Sequence, residues 1–301
     1  GHIFRSLNNG ESWEVVKEGI GVAFSLAVNS SDYIFATSRG GGIFCSKDDG
    51  ENWMEMNSGL DDLRVEVLAI NNAGDIFAGT RGGGIYRSKD NAESWVAVNN
   101  GLTDLRITCI SIHPSGYIFA GTRWEGVFRS TDNGENWAPL NQGLSEGLIN
   151  SIHIENFGVI RACTFNGIFQ SNDNGESWIR MNCIGLDNVR VMSFSSNAGG
   201  NMFAGTRNGI YRSVDAGNDW TRYEGLTTKC TIWSMTKNNE DHIFAGTSVG
   251  NVFRSTDRGE NWVNISNGIN APGGIYSMAT NSQGFLFAAL CGDGVFRSTD
   301  G

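Results

Sequence analysis

Four arginines, Arg39, Arg81, Arg123 and Arg207, each follow a Ser or Thr in a short polar turn. A guanidinium offers a planar fork of donors that pairs a carboxylate bidentately, so several at equivalent positions suit an anionic ligand. Beside one of them stand Trp124 and Glu125. The indole can stack on a sugar ring or an apolar side chain, and the carboxylate can accept hydroxyl hydrogen bonds. Glu125 and Asp293 in turns, with Asp61, Asp62, Asp104, Glu146 and Asp187 between apolar segments, supply carboxylates for acid–base chemistry. Glycoside hydrolysis needs two of these roughly 5 to 10 Å apart, and position singles out no pair. Other chemistries fare worse. His2, His113, His153 and His242 lie in different segments without HxxxH or HExxH spacing. His153, inside the apolar run Ile152–Ile154, reads as a hydrogen-bonded interior residue. The six cysteines form no CxxC, and Gly82–Gly84 lacks the Lys-Ser/Thr and helix of a phosphate cradle. No metal and no cofactor is expected.

The elements that position these side chains are set by a repeat. The motif Ser-x-Asp-x-Gly-x-x-Trp recurs along the chain, as in Ser46–Trp53, Ser130–Trp137, Ser171–Trp178, Ser213–Trp220 and Ser255–Trp262. Asn8 replaces Asp in the first copy, Ala92 replaces Gly in the third, and an incomplete copy starts at Ser298. The tryptophans fall at 13, 53, 95, 137, 178, 220 and 262, spaced by 40 to 42 residues. Within each unit four short segments, rich in β-branched and aromatic residues, are punctuated by Gly and Asn, which reads as four antiparallel strands. In the boxed turn an Asp carboxylate and a Ser hydroxyl can accept otherwise unpaired N–H groups, and Gly supplies a positive φ. Ala92 at that glycine position should cost on the order of 1 kcal/mol if its φ is positive.

These boxes resemble the Asp-box, or BNR, repeats of β-propellers, over essentially the whole chain. Families that carry them include sialidases, xyloglucan-degrading glycosidases, sortilin-type receptors and photosystem II assembly factors. The resemblance implies an all-β, seven-bladed propeller of four-stranded antiparallel blades with Asp-box turns. It marks a fold that hosts several functions and transfers no activity by itself. The expectation is a single propeller over residues 1–301, its closing blade shared between residues 1–16 and 275–301. One copy of the third strand is then surplus, either Gly1–Ser6 or Gly294–Ser298, so the chain also reads as a window cut from a longer array. In the resembling families the substrate sits on the face opposite the boxes. There this sequence carries Arg39, Arg81, Arg123, Trp124, Glu125 and Arg207, the expected ligand-binding residues, centred on the third complete blade. The bland alternative pairs these arginines with loop acids such as Asp61, Asp62 and Asp104. A sialidase is disfavoured because its Arg-Ile-Pro motif is absent. Trp233, in a first strand, reads by default as core, with the central channel as its other possible place.

Composition narrows the partners. Of 301 residues 41 are Gly and 3 Pro, apolar types reach 40%, and no apolar run approaches the roughly 18 residues needed to span a bilayer. The net charge of −10 disfavours nucleic acid and anionic membrane. The resulting expectation is a monomeric, non-catalytic recognition propeller for a glycan or protein, without membrane insertion. Its alternative is a glycoside hydrolase with a carboxylate pair on the same face. Cysteines in apolar segments behave as small hydrophobes. All six are therefore expected to be free, which favours a reducing compartment, whereas the resemblance favours a secreted or cell-surface one.

Overall fold

Each unit folds because apolar segments alternate with turns that few residue types can make. The second strands, such as Ile76–Thr80 and Ile118–Thr122, share the sequence Ile-Phe-Ala-Gly-Thr and are buried at every position. Their phenylalanines, among them Phe35, Phe77, Phe119, Phe203 and Phe287, are fully buried between neighbouring sheets. Fourth strands are short and largely exposed, as at Met54–Glu55 and Val96–Ala97. The computed structural model describes residues 2–19, 23–155, 158–165, 167–181, 183–186, 189–197, 199–225, 230–238, 240–269 and 273–290.

The strands form seven four-stranded antiparallel sheets, the blades of a β-propeller. Six are continuous in sequence: blades 1 to 6 cover residues 23–55, 65–97, 107–139, 149–180, 191–222 and 232–264. Blade 7 takes its first two strands from Ile275–Thr280 and Leu286–Leu290, and its outer two from His2–Ser6 and Glu14–Glu18. His2 pairs with Leu290 and Ser6 with Leu286, so the N-terminal copy of the third-strand sequence holds that place. The other copy, Gly294–Ser298, lies outside the described residues. First strands of successive blades pack side by side, and Ile275–Thr280 packs on Ala23–Val28, which closes the ring.

The boxes act as turn fasteners. Ser46 Oγ donates to Asp48 Oδ1 and accepts the Gly50 N–H, and Asp48 Oδ1 accepts the Asn52 N–H. The same bonds recur at Ser130, Ser171, Ser213 and Ser255. Hydrogen bonds from the Ser177 side chain and backbone, joined by Ser171, pull the Asp173 carboxyl down to about 2. Two successive box residues take a positive φ, usually Asn then Gly, but Ala216 and Arg258 occupy the first position at 61°. Ala92 occupies the second at 70°, as its glycine-like place requires. Its methyl is fully buried among Phe35, Tyr86 and Trp95, so about 0.8 kcal/mol of burial offsets the strain anticipated there.

The box tryptophan then docks on the preceding blade. Trp95, Trp137 and Trp178 donate their indole N–H to the carbonyls of Met56, Val98 and Leu140, and their main-chain N–H to Ser58, Asn100 and Gln142. A second clasp comes from third-strand arginines. Arg87 reaches Asn133 O and Glu135 of the next box, and Arg129 reaches Asn174 O and Glu176. The five described cysteines are buried, and Cys45, Cys109 and Cys163 are free thiols.

Deleting residues 1–16 should leave the sheet edge of Leu286–Leu290 bare, so the truncated chain is expected to aggregate or to melt well below the parent; equal melting curves would refute ring closure by pairing of the ends. Ala216 is exposed, so Ala216→Gly should relieve left-handed strain without loss of burial. A gain of about 0.5–1 kcal/mol, or about 2 °C in a thermal melt, is expected.

Candidate functional site

Turns between second and third strands lie against the segments that connect one blade to another. Arg81, Arg123 and Arg207 donate their main-chain N–H to the carbonyls of Arg64, Arg106 and Arg190. These two sets share one face of the ring. The boxes lie on the other, where first-to-second turns meet them, as when Asn71 Nδ2 donates to Asn133 Oδ1.

The loop acids are used differently from the bland reading. Asp62 accepts the main-chain N–H, Nε and Nη2 of Arg64, and Asp104 accepts the N–H and Nε of Arg106 together with the Trp124 N–H. Burial opposes ionisation of Asp62, yet the Arg64 hydrogen bonds hold it below the usual carboxylate range. Of the turn arginines only Arg81 meets a carboxylate among the described residues, with its Nε 3.8 Å from Glu66 Oε1. Arg39, Arg123 and Arg207 have none within ion-pair distance there, nor has Arg190. Arg39 lies over the Phe24 ring at 5.7 Å, and Trp124, 55% exposed, sits between Arg106 at 5.5 Å and Arg123 at 5.3 Å. Arg190 covers Phe165, which is 52% exposed. Glu125 is fixed by its backbone, the N–H on Thr122 Oγ1 and the carbonyl on Asn141 Nδ2. Asp187 and Asp293 lie outside the described residues.

Arg39, Arg81 and Arg123 are brought together around Glu66, a residue absent from the sequence candidates. Burial pushes the Glu66 carboxyl up, against the pull of Arg39 and Arg123. Arg190 is lowered by burial and by Arg207 and Arg123, so Arg123 links the two groups. Arg207 thus joins the cluster through Arg190.

Glu66 belongs to a further set. Each first strand loses register near its second residue, between Val65 and Val67 in blade 2 and between Ile107 and Cys109 in blade 3, for example. Such a bulge leaves one residue unpaired and re-aims its side chain. Phe24, Glu66, Thr108, Asn150, Met192 and Trp233 occupy these positions and line a central cavity of about 340 Å³. Trp233 is therefore a half-buried channel residue, not core, and stacks on Tyr276 of blade 7 at 4.1 Å. His153 is half-buried and hydrogen-bonded to Ser196 Oγ, and desolvation holds its imidazole down at about 4.

Seven four-stranded blades with Asp-box turns define a BNR-type β-propeller. Residues 1–155 match the family model described as photosynthesis system II assembly factor YCF48, and the chain belongs to that family. No curated protein matches the sequence. Among solved structures, YCF48 bound to D1 peptide is similar at 13% identity and a TM-score of 0.71, over 91% of this chain and 94% of that one. The GH74 xyloglucanase of Xanthomonas campestris gives 14% and 0.73, over 92% of this chain and 52% of that one. The extracellular domain of the putative one component system BT4673 from B. thetaiotaomicron gives 14% and 0.72, over 90% of this chain. This chain spans 37% of that domain's length. At these identities the likeness is one of fold. No helix among the described residues is long and apolar enough to cross a membrane.

Because the Glu66 carboxyl binds its proton more tightly folded than unfolded, its ionisation weakens the fold as pH rises above about 4.3. Glu66→Gln should remove that loss. Thermal melts are expected to show the variant gaining on the parent between about pH 4 and pH 7; parallel curves would show that Arg81 fully offsets the burial.

Proposed function

We infer that this propeller is a non-catalytic recognition module that binds an anionic segment of a protein partner on the face opposite the boxes. The observation that carries the reading is the group of guanidiniums with no carboxylate within ion-pair distance among the described residues, Arg39, Arg123, Arg190 and Arg207, beside exposed Trp124 and Phe165. Arginine forks pair with carboxylates, and aromatic rings that already carry a guanidinium provide apolar contact next to charge. A net charge of −10 makes this basic rim stand out from the rest of the molecule. The structural neighbour solved with D1 peptide supports a peptide ligand. Arg81 and Glu125 flank the rim as secondary contacts, Arg81 being shared with Glu66.

A glycoside hydrolase is the alternative, favoured by the fold likeness to a xyloglucanase. Against it, Asp62 and Asp104 are each taken up by an arginine and by main-chain N–H groups, which supports binding without turnover. The buried thiols suit either compartment: burial pushes Cys45 up to about 11 and Cys109 and Cys163 up to about 12, so they stay protonated and unreactive.

Fluorescence anisotropy with a library of labelled acidic peptides should reveal binders whose affinity falls as salt rises from about 50 to 300 mM. Arg123→Ala and Trp124→Ala should each weaken the best binder about tenfold or more with unchanged melting temperature, since both side chains stand at the surface. Undiminished binding by both variants, or release of reducing sugar from xyloglucan, would overturn the reading.

A further inference from the structure

The central channel is two-sided. Following the blades in order, Met192, Trp233, Tyr276 and Phe24 hold the bulge positions of blades 5, 6, 7 and 1, whereas Glu66, Thr108 and Asn150 hold those of blades 2, 3 and 4. The aromatic members form one continuous arc, Trp233 stacked on Tyr276 at 4.1 Å and Phe24 tilted against Tyr276 at 4.9 Å. Met192 lines the same cavity on blade 5, next to the arc, and a thioether is a favourable neighbour for ring edges. All of these side chains are half-buried and open to the channel mouth rather than to a packed core.

Of the polar members, Thr108 and Asn150 have little left to offer a hydroxyl-rich ligand. Thr108 Oγ1 donates to Ile149 O, Asn150 Nδ2 donates to Val191 O, and Asn150 Oδ1 accepts from Arg190. Below them Ser111 donates to Ile152 O, while Ser25 and Ser277 accept main-chain N–H groups of the neighbouring blades. A sugar entering this space would find Glu66 and the Ser151 and Ser193 hydroxyls as partners, and would lose water from its remaining hydroxyls at a cost of about 1–3 kcal/mol per group. An apolar side chain meets no such penalty.

We propose that the channel mouth is a specificity pocket for one large apolar or aromatic side chain of the bound peptide, held against Met192, Trp233, Tyr276 and Phe24 while its flanking carboxylates engage the rim arginines. The proposal rests on the reading of the rim as an anionic-peptide site and adds the side chain that selects the peptide. Charge complementarity fixes the arrangement. Arg39, Arg123, Arg190 and Arg207 ring the same mouth, and the second-to-third turn of blade 6, Ser248–Gly250, brings no charge. The ligand is thus a segment in which an apolar residue sits among acidic ones.

The test compares two N-acetylated peptides, Glu-Glu-Phe-Glu-Glu and Glu-Glu-Ala-Glu-Glu, by calorimetric titration of the full chain. The phenylalanine peptide should bind about tenfold or more tightly than the alanine peptide. Trp233→Ala should bring the two affinities within about threefold of each other, and Arg123→Ala should weaken both alike. Met192→Thr, a milder change at the same mouth, should also narrow the ratio, and keeps the test decisive if Trp233→Ala does not fold. Equal binding of both peptides by the parent, or a preference that survives in Trp233→Ala and Met192→Thr, would overturn the specificity pocket while leaving the basic rim intact. Binding of neither peptide alongside binding of a xyloglucan oligosaccharide would overturn both.

Discussion

The joint between neighbouring blades governs the rest of the molecule. Trp13, Trp95, Trp137 and Trp178 each donate twice to the preceding blade, once from the indole and once from the main chain, whereas the Trp53 and Trp220 indoles donate to the carbonyls of Gly50 and Gly217 in their own boxes. The approach is so close that a Cβ added at Gly59, Gly101 or Gly143 would lie about 2.1–2.2 Å from the carbonyl oxygen of Trp95, Trp137 or Trp178. Only glycine fits, and each of these residues has a φ near +90°. Seven sheets packed first strand to first strand close into a ring, and the spacing at these joints sets the diameter of the channel. The serine and aspartate of the box act one step earlier, since they aim the tryptophan.

The two faces of the ring divide the work. On the box face, arginines and asparagines are consumed in holding blades together. Arg87 and Arg129 grip both a carbonyl and a glutamate of the next box. Where Gln170 replaces the arginine, Asn218 replaces the glutamate, so the pair is lost as a unit. Where Cys45 replaces it, Lys47 reaches Glu93 at 3.9 Å instead. On the opposite face the same residue type plays another part. Arg64 and Arg106 are spent on the connecting segments, whereas Arg39, Arg123, Arg190 and Arg207 keep their forks free of described carboxylates. Arginine content alone says nothing about binding; the strand or turn that carries each residue decides.

Most of the fold was legible because its signals are local. Ser-x-Asp-x-Gly-x-x-Trp names a turn, its spacing names a blade, and seven intervals name the ring. The turn residues Arg39, Arg81, Arg123, Trp124, Glu125 and Arg207 were visible for the same reason. Glu66, Met192 and the channel role of Trp233 were not. Each sits inside an apolar strand, where alternation predicts a core position, and only the bulge turns it toward the axis. A signal did exist. Phe24, Glu66, Thr108, Asn150, Met192, Trp233 and Tyr276 are seven different residue types in one column of an otherwise uniform repeat. The structural copies differ most where no shared role in packing constrains them. Arg190 was hidden differently, since it repeats Arg64 and Arg106 in sequence but has no Asp at the place of Asp62 and Asp104.

The pairing of His2–Ser6 with Leu286–Leu290 also sets a clock. A ribosome delivers the second of these strands only about 280 residues after the first, which at roughly 5–20 residues per second is a wait of about 15–60 s. Six blades can assemble in order as they emerge, each docking its tryptophan on the one before. Through that interval His2–Ser6, paired with Glu14–Glu18 on one side, waits for Leu286–Leu290 on the other. Synthesis speed and early chaperone cover therefore bear on this ring more than on a propeller whose blades each come from one unbroken stretch.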